Sequence, residues 1–259
     1  MLRLIVVGVS FLTLTVVLIP VQALAVARRW ALRRSLPTRY HRLVCRMVGV
    51  RIHVVGQPAT QRPLLIAANH SSWLDIPVIT AATPVVFIAK REVSTWPLIG
   101  LLAKLQRSIF VDRERRHKTG EANSEIAARL TAGDAVVLFA EGTSSDGNRV
   151  LPFRTALLGA ARDTLASAET DEILIQPLSI AYVRKQGLRI GRSERHQVAW
   201  YGGLDLMPHL KEVLRTGALD VVLTWGEPVA YDGRSSRKEL AKALEARVRR
   251  MTVDALRAA

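Results

Sequence analysis

A chain of 259 residues and 28.6 kDa can bury a substantial core as one large domain, alone or with an appendage, and is short for two full domains. Lys and Arg outnumber Asp and Glu by 37 to 22, a net charge of +15, which points to a polyanionic partner, either nucleic acid or anionic lipid. The single cysteine, Cys45, excludes an internal disulfide and a cysteine-rich metal site and fits a reducing compartment.

Residues 4–27 carry no charge and are dominated by Leu, Val, Ile and Ala, enough at about 1.5 Å per residue to cross a hydrocarbon core of roughly 30 Å. They predict a membrane anchor helix over residues 1–27. Ala23-Leu24-Ala25 and Ala25-Val26-Ala27 resemble signal-peptide cleavage sites behind a minimal n-region at Arg3. The apolar run exceeds a usual h-region, however, and Arg28, Arg29, Arg33 and Arg34 follow it directly. Those arginines put the bulk of the protein on the cytoplasmic side of the inner membrane and Arg3 alone on the other. Pro20 and Gln22 interrupt the run, so a re-entrant or interfacial helix is also compatible. Residues 28–50 predict a basic amphipathic helix on the membrane surface, with Arg39, Arg42 and Arg46 among Leu43, Val44, Met47 and Val48. An ordinary solvated helix with its core face inward gives the same pattern.

Residues 51–259 show no further domain boundary. Short apolar runs at 51–55, 64–68, 85–89, 108–111, 135–139, 173–181, 197–200 and 219–225 read as strands, with helical patterns between most of them. The last helix, 236–256, opens on a capping-box pair, Ser236 and Glu239, and carries Leu240, Leu244 and Val248 at four-residue spacing. The alternation predicts an α/β fold, a central, mostly β sheet flanked by helices.

Chemistry concentrates at the ends of these strands, where α/β sheets usually hold their sites. In Asn69-His70-Ser71-Ser72-Trp73-Leu74-Asp75, five helical steps of about 100° would put His70 and Asp75 roughly 140° apart, so they cannot share a helix face. With His70 in the loop after residues 64–68 and Asp75 on the first turns of the next helix, the carboxylate reaches back to the imidazole. Such a pair can take a proton from an alcohol as it attacks an ester or thioester. The plainer alternative is a helix cap with early-turn charge. Lys90 and Arg113 end strands as cations suited to anionic head groups. Glu141-Gly142-Thr143 is a turn whose glycine permits tight geometry and exposes backbone N–H groups, and Leu151-Pro152-Phe153-Arg154 returns the chain toward it.

The blocks Asn69 to Asp75, Ile109-Phe110-Val111-Asp112-Arg113, Phe139-Ala140-Glu141-Gly142-Thr143 with Pro152-Phe153-Arg154, and Gln176-Pro177-Leu178-Ser179-Ile180 together resemble the 1-acyl-glycerol-3-phosphate acyltransferase family of membrane glycerolipid acyltransferases. The resemblance implies that His70 is the general base and that Asp75 orients it and stabilises its protonated form. It further implies that Lys90, Arg113, Glu141, Gly142, Thr143 and Arg154 bind the acceptor and that Pro177 shapes the donor site. The donor would be a thioester of acyl carrier protein or coenzyme A, with no metal or other cofactor required. Ser144 stands where the family usually has an arginine thought to meet the acceptor phosphate. Without it, binding of a dianionic phosphate should weaken by roughly 1.5 to 3 kcal/mol unless Arg149 or Arg154 compensates.

The variant run from Glu141 to Arg154, with Val198-Ala199-Trp200-Tyr201-Gly202, resembles the bacterial branch that includes lyso-ornithine lipid acyltransferases. That branch implies transfer of an acyl group to the hydroxyl of lyso-ornithine lipid, with Asp146 available to the ornithine ammonium; lysophosphatidate is the alternative acceptor. Two other classes fit less well. Nucleic-acid binding would use the charge, but the chain lacks a recognisable motif and the reading gives residues 4–27 no purpose. A serine hydrolase would need Gly-x-Ser-x-Gly, which is absent.

Overall fold

The computed structural model describes residues 2–112, 119–155, 159–167, 171–234 and 236–259. Among these, nine strands make one mixed sheet: β1 (Val50–Val55), β2 (Leu64–Ala68), β3 (Val86–Lys90), β4 (Ile109–Val111), β5 (Ala135–Phe139), β6 (Ile173–Lys185), β7 (Leu188–Arg189), β8 (Leu219–Trp225) and β9 (Val229–Tyr231). The main order is β1-β8-β6-β2-β5-β3-β4, with β7 and β9 antiparallel to β6. From β6 through β2, β5 and β3 to β4 the strands run parallel, whereas β8 opposes β6 and runs with β1. Every residue of β2 and β5 is buried, which explains their unbroken apolar runs in place of alternation.

Eight helices cover the sheet in the described residues: α1 (Leu2–Ala27), α2 (Leu32–Val48), α3 (Asp75–Ala82), α4 (Ile99–Leu105), α5 (Thr119–Thr131), α6 (Gly159–Ser167), α7 (Leu206–Thr216) and α8 (Arg237–Ala258). Ile66, Ala68, Val137, Phe139, Leu178 and Ile180 face one core with α2 and α3. Leu65, Ala67, Val136, Leu138 and Ile175 face the other, where Ile126, Ala161, Leu240, Leu244 and Val248 close it from α5, α6 and α8. The α/β fold and the buried face of the last helix agree with the sequence reading.

Two local expectations need correction, and one strand that holds needs an explanation. Residues 197–200 are not a strand: residues 195–197 form a single 3-10 turn, and the Trp200 N–H leaves the sheet to donate to the Ser71 carbonyl. The capping box does not close, because α8 starts on the Ser236 carbonyl, which accepts from the Leu240 N–H, with no side-chain cap bond. Pro177 survives inside a long strand because it sits where the antiparallel neighbour of β6 changes from β9, last paired at Ile175, to β8, first paired at Leu178.

α1 is long and apolar enough to cross a membrane. It lies along the domain, however, and is tied at both ends. Arg3 donates through Nη1 to the Leu214 carbonyl and through Nη2 to the Val48 carbonyl, the latter at 2.8 Å. At the other end Gln22 Nε2 donates to the carbonyls of Leu105 (2.9 Å) and Arg33 (3.1 Å), and between them Thr15 and Tyr40 share a 2.8 Å hydrogen bond. Arg3 thus bonds the same globular body as Gln22. Away from this stripe α1 exposes Ile5, Val9, Leu12, Val16 and Leu24.

Candidate active site

β2 ends at Ala68, and Asn69 extends its pairing by one residue through a side chain. Asn69 Oδ1 accepts from the Ile180 N–H at 2.8 Å and Nδ2 donates to the Ile180 carbonyl at 3.0 Å, copying a strand's peptide bonds. The backbone is then free to turn, and residues 70–74 lead into α3, whose first residue is Asp75. His70 Nδ1 lies 2.8 Å from Asp75 Oδ2. The same oxygen accepts from the N–H groups of Ser71 (2.8 Å) and Ser72 (3.0 Å), while Oδ1 accepts from the Tyr182 hydroxyl (2.8 Å). A carboxylate so placed only accepts, so Nδ1 carries the imidazole hydrogen and Nε2 presents a lone pair.

Burial divides the pair in the useful direction, with the Asp75 side chain fully enclosed and that of His70 18% exposed. Phe139 stacks on the imidazole at a centroid distance of 3.9 Å and 17°, and is itself backed by Phe87 at 5.9 Å. The ring is held in its plane by packing and in its tautomer by Asp75. Burial and the neighbouring Asp75 push the Tyr182 hydroxyl well above its ordinary value, so it remains a donor throughout the neutral range.

The turn after β5 supports this loop from the other side. Glu141 is buried, and its Oε1 accepts from the His70 N–H at 3.2 Å. Burial pushes its carboxyl up to about 8, against the pull of the His70 and Leu151 amides. A carboxyl that holds its proton more tightly folded than unfolded stabilises the fold below about 4.5 and loses that contribution as pH rises to about 8. Glu141→Gln should therefore flatten the fall in melting temperature across that window, measured by thermal unfolding in detergent; parallel curves for the two proteins would refute the assignment.

Gly142 is in the left-handed region at φ +74°, and a Cβ there would sit 2.6 Å from Arg154 Nε, so any other residue would strain the backbone and push the Arg154 side chain aside. The expectation of an exposed amide is corrected: the Gly142 N–H closes the turn on the Phe139 carbonyl at 3.0 Å. Arg154 crosses the turn instead, its Nε donating to the Glu141 carbonyl at 3.2 Å. Thr143 is exposed on this turn, Arg154 is exposed across it, and Arg149 is exposed on the loop that follows. Lys90 is exposed at the end of β3, two strands from β2 and so roughly 10 Å away across the sheet. Arg113 lies outside the described residues. Pro177 lies on the opposite face of the sheet, against Gly226 beside Met251 of α8, because strand parity turns it away from His70. Sequence reasoning missed Tyr182 and Phe139, whose types and spacing read as ordinary core, and Ser145, whose N–H and Oγ both donate to the His70 carbonyl (2.9 and 3.2 Å).

A family model described as Acyltransferase matches residues 51–181, the span that holds His70, Asp75, Phe139 and the Glu141-Gly142-Thr143 turn. The chain is also 49% identical over 254 residues to a lyso-ornithine lipid O-acyltransferase of Brucella abortus, covering 98% of this chain and 95% of that one. The chain belongs to the acyltransferase family. A second lyso-ornithine lipid O-acyltransferase, from Rhizobium meliloti, is 44% identical over 96% of this acyltransferase and 86% of its own length. A 1-acyl-sn-glycerol-3-phosphate acyltransferase of Neisseria gonorrhoeae is 34% identical, over 53% of this chain and 52% of its own. The crystal structure of the 1-acyl-sn-glycerophosphate acyltransferase of Thermotoga maritima shares the fold at a TM-score of 0.66 and 22% identity, over 98% of this acyltransferase and 96% of that chain.

Proposed function

We propose that this acyltransferase moves a fatty acyl group from a thioester of acyl carrier protein or coenzyme A to the hydroxyl of lyso-ornithine lipid, giving the two-chain ornithine lipid. The observation that carries the chemistry is the free Nε2 of an imidazole whose other nitrogen is fixed on a fully buried carboxylate. Nε2 takes the proton as the acceptor oxygen attacks the thioester carbon; the tetrahedral intermediate collapses, the C–S bond breaks, and the imidazolium returns its proton to the departing thiolate. Asp75 stabilises the imidazolium between these two transfers. The acceptor choice draws on the two relatives of that name and on Ser144, which leaves the turn after β5 without the arginine that a phosphate would favour.

Membrane attachment draws on α1. A helix tied at both ends to one body cannot deliver either end to the far side of a bilayer, so α1 lies within a single leaflet with its exposed apolar side in lipid. Below its C-terminal end a hollow of about 520 Å³ is lined by Arg29, Arg33, Lys104, Arg107 and Arg129, which suits the anionic surface of the cytoplasmic leaflet of the inner membrane.

The acceptor is tested by offering membranes that contain the protein an acyl carrier protein thioester with either lyso-ornithine lipid or lysophosphatidate, and following products by mass spectrometry. Faster ornithine lipid formation is expected. Faster phosphatidate formation would give the reaction to lysophosphatidate and make Arg149 or Arg154 the substitute cation.

A further inference from the structure

The loop beyond Ser144 holds a carboxylate and a guanidinium next to the catalytic turn. Gly147, at φ +76°, packs between the catalytic loop and the segment of Arg195: a Cβ there would lie in ordinary contact, 3.9 Å from Ser71 Cβ and 3.8 Å from Arg195 Cβ. On one side of it Asp146 accepts from the Asn148 N–H (2.9 Å) and Nδ2 (3.1 Å). On the other, Arg195 Nη1 donates to Asn148 Oδ1 at 3.2 Å. One asparagine thus orients both charges. The Trp200 N–H bond to the Ser71 carbonyl, 2.8 Å, pins the segment that carries Arg195 over the same loop.

Neither charge is spent by these contacts. Arg195 Nε is buried with no hydrogen-bond partner, an unmet donor on a charged group. Burial, with Arg192 and Arg189 nearby, lowers its guanidinium and Asp146 pulls it back, so the two opposite charges sense each other. Burial alone would raise the Asp146 carboxyl, but the Asn148 groups and Arg149 outweigh it and keep the carboxylate ionised. A lone anion such as a phosphate monoester would meet Asp146 as a repulsion. A zwitterion would meet both charges.

Resting on the acceptor reading above, we infer that Asp146 and Arg195 are the head-group site of the acceptor: Asp146 receives the side-chain ammonium of the acylated amino acid, and Arg195, through the N–H groups at the end of its guanidinium, receives the α-carboxylate. Both are binding residues that set specificity, and neither touches the transferred proton. Asn148 is their positioning residue.

The experiment uses the full-length protein in detergent with acyl carrier protein thioester and two acceptors, lyso-ornithine lipid and the matching N-(3-hydroxyacyl) norvaline, which lacks only the ammonium. Asp146→Asn should raise KM for lyso-ornithine lipid about tenfold or more while kcat moves by less than about threefold, the pattern of a lost charge-assisted binding contact. For the norvaline acceptor the same variant should match the unsubstituted protein. Arg195→Gln should raise KM for both acceptors, since both keep the carboxylate. If Asp146→Asn weakens both acceptors alike, the substitution has only disturbed the turn and the ammonium assignment is overturned. If Arg195→Gln leaves both KM values unchanged, the carboxylate assignment falls. Should the unsubstituted protein acylate lysophosphatidate and not lyso-ornithine lipid, the acceptor reading itself fails, a result distinct from either.

Discussion

His70→Ala is expected to lower kcat by about a hundredfold to ten-thousandfold, the range for removing a general acid–base group. No other described side chain pairs an open ring nitrogen with a buried carboxylate at this edge of the sheet. The fold should persist, because Asp75 keeps its bonds to the Ser71 and Ser72 amides and to Tyr182 when the imidazole is removed. Product formed per unit of membrane-bound protein, measured by mass spectrometry, is the deciding quantity. An alanine variant of equal abundance that retained most of the activity would end the general-base mechanism.

Asp75→Asn should cost nearly as much in kcat, about a hundredfold or more, while leaving KM for the donor nearly unchanged. The asparagine has the shape to fit. Its amide nitrogen must avoid the oxygen position that faces three N–H donors, so it turns toward Tyr182, whose hydroxyl can accept. His70 then keeps its tautomer and loses only the negative charge that favours its protonated form. Asp75→Ala is a worse probe, because it strands the Ser71 and Ser72 amides and the Tyr182 hydroxyl inside the protein at about 1–3 kcal/mol each. Near-normal turnover by the asparagine variant would reduce Asp75 to an organiser of the loop.

His70 and Asp75 are legible in the sequence because their geometry is local: a strand end, a four-residue loop and a helix start fix it without distant help. Tyr182 is 107 residues from Asp75 in the chain and meets it only because β6 lies beside β2. Its alternation with Leu178 and Ile180 reads as core until that pairing is known. The fold follows the same division. Runs such as 64–68 and 135–139 match their strands because burial on both faces demands continuous apolar residues. β6 outlasts its apolar signal through Arg184 and Lys185, which pair with β8 beyond a bulge after Tyr182, and two-residue β7 is too short to leave any. Arg195 is invisible for a different reason. A basic residue in a basic chain carries no signal until Asn148 and Ser71 are found beside it.

The ties at Arg3 and Gln22 put α1 over the face of the sheet that also holds Leu74 and Phe139 around the catalytic loop. Under the proposed attachment, the helix in lipid and the reaction would therefore address one monolayer. Each new two-chain lipid would enter the sheet of lipid from which its precursor came, and its arrival would enlarge that monolayer alone. Balancing the opposite monolayer would then fall to a separate transbilayer carrier, so the rate of lipid flipping, more than the rate of acylation, would set how evenly the product is shared across the membrane.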